Sequence, residues 1–272
     1  MQRMKVESGN MSYPEDALAK QVIELKEENE RLDRSGEGMK PILFNTAMVR
    51  AIFDGRKTVT RRVVKWMPYH ESGKINFNFS GMSLGHYYTG VPESGYVLYS
   101  RGRSGSWNQR TKPMHCPYQP GDILWVRETW AEQECEYCSS GIISLGGSCT
   151  CNYVYRANYG TTEDDSFPPS MFRWRPSIHM PREAARLFLL VKSVRVERLQ
   201  DITGRDVLSE GVDNGKSNPT MGERWENMQR MAFAELWDSI NGKKYPWESN
   251  PWVFVIEFRR CTDEEVSDLR GK

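Results

Sequence analysis

The chain lacks any apolar run approaching the roughly 20 residues needed to cross a bilayer as a helix, and its first residues carry no signal-type apolar core. These two absences point to a cytoplasmic protein that neither spans nor is anchored in a membrane. It also lacks a dominant charge: 37 Lys and Arg stand against 36 Asp and Glu. That balance excludes a polycationic nucleic-acid coat and leaves room only for local charged sites. There is no internal repeat, which excludes a solenoid or propeller. No histidine stands near the cysteines at 135–151, so a catalytic zinc with an open position is not expected there.

What the sequence does have is concentrated. Between Arg50 and Lys65 six cations face a single acid, Asp54, and four of the cations fall in the run Arg56-Lys57-Thr58-Val59-Thr60-Arg61-Arg62. Read as a strand from Lys57, it places Lys57, Val59 and Arg61 on one face and Thr58, Thr60 and Arg62 on the other. Polar groups on both faces make a poor core element, so the run predicts a ligand site. Before it, Asn45 or Thr46 caps a helix carrying Met48, Val49, Ile52 and Phe53, and Gly55 suits the position just past its end.

Residues 1–38 read as a helical appendage and linker. Leu18, Val22, Leu25, Asn29 and Leu32 fall on a heptad seam that predicts homodimerisation through residues 15–34, the alternative being a solvated helix. The folded body is expected over 39–262, followed by a tail at 263–272. Two insertions interrupt it: 68–117, rich in Gly, Ser, Tyr and Pro and read as irregular, and 132–150, which bears cysteines. Strands are expected at Ile42–Phe44, Ile123–Arg127, Tyr153–Tyr155, within Ala185–Leu199, and at Trp252–Phe258. Thr203 and Asp206 have the spacing of a capping box for a short helix that Gly211 ends, and Trp225, Met228, Ala232, Leu236 and Ile240 predict one face of a longer helix. Short strands with helices at the connections give an α+β fold, a small β-barrel of five to six strands with flanking helices.

The four cysteines Cys135, Cys138, Cys149 and Cys151 sit in two short knuckles around a Gly-rich loop. The pattern suits a structural Zn(Cys)4 site that staples an insertion too small for its own core, with reduced thiols as the alternative. Cys116 and Cys261 stand apart and are expected to be buried thiols.

The stretch from Ile52 to Arg61 resembles the signature of the ASCH domain, a PUA-like β-barrel family. Pro120-Gly121-Asp122 before a strand, the segment from Leu199 to Gly211 and the terminal Val255-Ile256-Glu257-Phe258 follow that family's order. Trp125–Trp130, Trp174–Pro181 and Asn250-Pro251-Trp252 resemble ASCH-containing proteins of bacteriophages and prophages, which would place the chain in a bacterial or phage-infected cell. The resemblance implies RNA binding. Some small bacterial members are amidohydrolases that deacetylate N4-acetylcytidine, and others are reported as ribonucleases. In the amidohydrolases a Lys and a Thr three apart and a later Glu act together, and these carry over to Lys57, Thr60 and Glu210.

Three functions are therefore expected. One is RNA or modified-nucleoside binding, with Arg56, Lys57, Thr58, Arg61, Arg62, Arg127, Arg175 and Arg182 as ligand contacts, since a guanidinium forks onto phosphate oxygens. Another is catalysis in the same cleft. The last is a phage morphogenesis or host-interaction role carried by the appendage and insertions. Lys57 and Thr60 are an odd spacing apart, so catalysis by the pair requires a bulge, or Lys57 still in the turn.

Overall fold

The structure, a computed structural model, describes residues 38–70, 75–89, 91–132, 153–159, 172–212 and 222–270. Residues 15–34, where a dimerising helix was expected, and the cysteines Cys135, Cys138, Cys149 and Cys151 lie outside the described residues. Lys40–Thr262 form one compact unit. A helix over Asp263–Arg270, where the sequence suggested only a tail, belongs to a second unit and carries Asp263, Glu264 and Glu265 in its first turn, as the helix dipole favours.

The core of the compact unit is a five-stranded sheet. Its members, with the first helix, are β1 (Lys40–Leu43), α1 (Thr46–Phe53), β2 (Val59–Val63), β6 (Ile123–Arg127), β9 (Phe188–Arg198) and β10 (Trp252–Arg260), in spatial order β1-β6-β9-β10-β2. β1 runs parallel to β6, and the other neighbours are antiparallel. The α+β class is as expected, but ring closure is not found among the described residues: β1 and β2 are both edge strands. A side chain spans the seam between them, Arg62 Nη2 donating to Leu43 O at 2.7 Å. Arg62 also stacks its guanidinium over Phe44, just beyond β1.

The stretch at 68–117 is not irregular. It holds an antiparallel sheet of β3 (Met82–Tyr88), β4 (Val91–Arg101) and β5 (Trp107–Gln109). The alternation that would reveal these strands is weak because most of their residues are only half buried. A two-stranded ribbon pairs β7 (Trp130–Glu132) with β8 (Tyr153–Tyr155).

One apolar cluster gathers Ile42, Phe44, Leu124, Leu189, Phe254 and Phe258 with other side chains. A second cluster gathers Val59, Leu199, Val207, Phe233, Trp237 and Val255 beneath α2 (Gly204–Ser209) and α3 (Glu223–Asn241). The capping box of α2 forms as expected, with Thr203 and Asp206 each accepting from the other's end of the turn. On α3 the buried stripe is Trp225, Gln229, Phe233 and Trp237, rotated from the expected face, with Ile240 exposed. The larger aromatic side chains win the core because burying them removes more apolar area from water.

Candidate functional site

Asn45 caps α1 by accepting from Met48 N at 2.8 Å, and Gly55, at φ +73°, ends it by turning the chain back. Arg56 and Lys57 then donate their backbone N–H groups to Ala51 O. β2 starts only at Val59, so Lys57 belongs to the turn and the odd spacing to Thr60 is no obstacle. In that turn Lys57 forms an isolated antiparallel bridge with Glu210, while Thr58 N–H donates to Ser209 O at 2.8 Å. The close approach depends on Gly211: a Cβ there would lie 2.7 Å from Ala51 Cβ and 2.9 Å from Lys57 Cβ, at φ +81°.

The result is a buried charge cluster. Lys57 Nζ donates to Glu210 Oε2 at 2.7 Å, to Glu210 O at 2.9 Å and to Val59 O at 2.8 Å, which commits all three of its protons. Burial pushes its pKa below the ordinary lysine value, against the opposing pull of the Glu210 carboxylate. Arg61 Nη1 reaches Glu210 Oε1 at 3.2 Å, and Arg61 Nη2 reaches Glu197 Oε1 at 2.6 Å. Glu210 caps the C-terminus of α2, where the dipole disfavours a carboxylate. The two cations supply what the helix end does not, so Glu210 is a buried member of the network and not a solvated surface group.

Thr60 is buried beside this cluster and has no side-chain hydrogen bond among the described residues. It lines a cavity of about 490 Å³ at the open edge of β2. Arg61, Arg62, Lys65 and Glu210 supply the polar part of the wall, and Tyr118, Phe233, Trp237, Tyr245 and Phe254 supply aromatic rings. Lys57 lies behind this wall, its side chain fully covered. The sequence-derived trio is thus brought together in part. Lys57 and Glu210 are hydrogen-bonded, Thr60 and Glu210 share the cavity wall, and Thr60 is bonded to neither.

Several expected ligand contacts lie elsewhere. Arg127 donates to Met180 O and Ile178 O and stacks on Trp125, so it holds the turn at 178–180 and is not part of the cavity wall. Arg175 pairs with Glu132 and lies over Trp130, and Arg182 sits exposed in a 3-10 turn. Arg56 is exposed and held by Asp54 and Gly211 O. Thr58 spends its backbone on Ser209 and Phe258. For Arg127, Arg175 and Arg56 a carboxylate or carbonyl close in space satisfies the guanidinium. Trp174, packed against Tyr159 and Phe172, anchors its loop.

Tyr118, Trp237, Tyr245 and Glu197 were not anticipated. For Trp237 the signal was present in the i, i+4 repeat Trp225-Gln229-Phe233-Trp237, which puts an aromatic stripe on one helix face. For Tyr118 and Glu197 no local pattern marks them. Cys116 and Cys261 are buried as expected, and burial pushes the Cys116 thiol up to about 11. Among the described residues no group of His, Cys, Asp and Glu is arranged to hold a metal ion. No helix among them is long and apolar enough to cross a membrane. Compared with models of known protein families, with curated proteins and with solved structures, the chain matches none of them.

Proposed function

We propose that the cavity at the edge of β2 binds a nucleotide, free or within single-stranded RNA, and that the chain is an ASCH-type, PUA-like module. One observation carries this reading: a single concavity is lined by aromatic side chains together with Arg62 and Lys65, two cations for a phosphate. Stacking of bases on aromatic side chains and charge-assisted contacts to phosphate are the general means of holding unpaired nucleotides. The volume of about 490 Å³ falls in the range of small-molecule sites.

The test is calorimetric titration of the full chain with nucleoside monophosphates and short single-stranded RNAs. Binding is expected to weaken with added salt and on Lys65→Ala. Absence of binding by any nucleotide or RNA at millimolar concentration overturns it.

A second reading, an amidohydrolase acting on N4-acetylcytidine-type substrates, is favoured by the unbonded Thr60 hydroxyl in the cavity wall next to Glu210. An attacking hydroxyl needs a proton acceptor. Lys57 serves as one only after losing a proton, which the burial acting on its ammonium promotes. Acetate release from N4-acetylcytidine that disappears in Thr60→Val supports this reading, and acetate release unchanged in that variant removes Thr60 from it.

A further inference from the structure

The nucleotide reading leaves open what recognises the base, and the edge of β2 supplies an answer that rests on that reading. Phe258 N–H donates to Thr58 O at 2.9 Å, and Val64 N–H donates to Trp252 O at 2.9 Å. Between them Thr60 stands opposite Ile256 and Arg62 opposite Phe254. These even-numbered residues exchange hydrogen bonds with β10, so Val59, Arg61 and Val63 turn their N–H and C=O groups to the outer edge. Val59 O is taken by Lys57 Nζ at 2.8 Å. The main-chain groups of Arg61 and Val63 have no partner among the described residues, and both residues line the cavity.

We propose that the main-chain N–H and C=O of Arg61 and Val63 read the ring-amide edge of a nucleobase, donor to acceptor and acceptor to donor. A strand residue presents its N–H and C=O side by side on one edge, and a pyrimidine presents the complement, N3–H with O4 in uracil or N4–H with N3 in cytosine. Unpaired bases are hydrogen-bonded along this edge when they are held out of a stack. Arg62 and Lys65 then take the phosphate, and the rings of Trp237 and Tyr245 flank the base. An extended peptide adding to the sheet would use the same groups. Strand addition needs a longer run of open residues, however, and Lys57 closes the edge at Val59, leaving only two.

The test uses the full chain labelled with ¹⁵N-valine and ¹⁵N-arginine. It is titrated with uridine and cytidine 5′-monophosphates, with their N3-methylated counterparts and with ribose 5-phosphate. The unmethylated nucleotides should shift the Val63 and Arg61 amides and leave the Val64 amide, already bonded to Trp252 O, in place. N3-methylation should weaken binding about tenfold or more, the effect of leaving a buried partner unsatisfied. Val63→Pro removes the outward donor while sparing the pairing to β10, and it should weaken binding of the unmethylated nucleotides more than of their N3-methylated counterparts.

Equal binding of methylated and unmethylated forms with unmoved Arg61 and Val63 amides overturns this inference while the nucleotide site stands. No binding by any nucleotide overturns both. If a capped valine-rich pentapeptide moves these two amides and nucleotides do not, strand addition replaces base recognition.

Discussion

Among the described residues two carboxylates, Glu128 and Glu210, are buried against cations, and they are used differently. Glu128 meets Arg186 in a two-pronged pair, at 2.9 Å from Nε and 3.0 Å from Nη2. The guanidinium lies over the rings of Tyr155 and Phe53, and its remaining arm donates to Asn158 Oδ1 at 2.8 Å. That pair is closed on itself, and neither residue lines the cavity. Glu210 meets Lys57 and Arg61, yet it also faces the cavity beside an unbonded threonine hydroxyl. Burial of charge therefore marks no function by itself. The distinguishing feature is a buried network with one side left open to a ligand.

The largest expected effect breaks both clusters. Glu128→Ala and Lys57→Ala should each cost about 3–5 kcal/mol in urea unfolding, because each leaves a buried charge without its partner. The contrast appears when apolar pairs replace the ions. Glu128→Leu with Arg186→Met should restore stability to within about 1–2 kcal/mol and keep nucleotide affinity per folded molecule. Lys57→Met with Glu210→Leu should recover stability to a similar degree and lose binding. Equal affinity in both double variants would erase the distinction between the two clusters.

The glycines flanking Lys57 give the next effect. Gly211→Ala combines a positive φ with contacts of 2.7 Å and 2.9 Å to Ala51 and Lys57, whereas a Cβ at Gly55 meets nothing within 4 Å. The Gly55 variant should cost about 1 kcal/mol, that of a left-handed alanine. The Gly211 variant should cost about 3 kcal/mol and displace Glu210. Thermal denaturation with a parallel binding titration separates these two outcomes. Smaller again is Thr60→Val. Its hydroxyl has no partner to lose among the described residues, so stability should change by less than about 1 kcal/mol while any hydrolase activity disappears.

The smallest effect is in pH dependence, where the two clusters tilt in opposite directions. Burial holds the Lys57 pKa below 10.5, so the folded state releases its proton first. Stability from this residue should rise with pH between the lowered value and 10.5. Burial raises the Glu128 carboxyl above 4.5 despite the hydrogen bonds from Arg186. Its contribution is complete below 4.5 and is lost as pH rises through the raised value. Melting temperatures of Lys57→Met and Glu128→Gln, each subtracted from wild type across pH, should show slopes of opposite sign. Parallel slopes would contradict the assigned directions.

Much of the local structure was legible. Asn45, Gly55, Thr203, Asp206 and Gly211 act on groups three or four residues away, so their effects follow from sequence spacing. Four strands of the five-stranded sheet were legible as apolar runs and β2 as a cation-rich one, while β3 to β5, mostly half buried, were not. Lys57, Thr60 and Glu210 were singled out by composition and resemblance. Arg127, Arg175 and Arg56 do not line the cavity, and for Arg127 and Arg175 the groups that hold them come from segments distant along the chain.

By itself, then, the sequence determined the caps of α1 and α2, the apolar runs of β1, β6, β9 and β10, and that cations crowd the chain around Gly55. All of these depend on interactions within a few residues. Tertiary structure decided that Lys57 stays in the turn and spends its protons on a glutamate 153 positions away. It also decided that, among the described residues, β1 and β2 stand at the edges of the sheet, with a cavity along β2. The reason is physical: a buried charge is placed by whichever partner the fold brings within about 3 Å, and an edge is open only if no other strand arrives to pair with it.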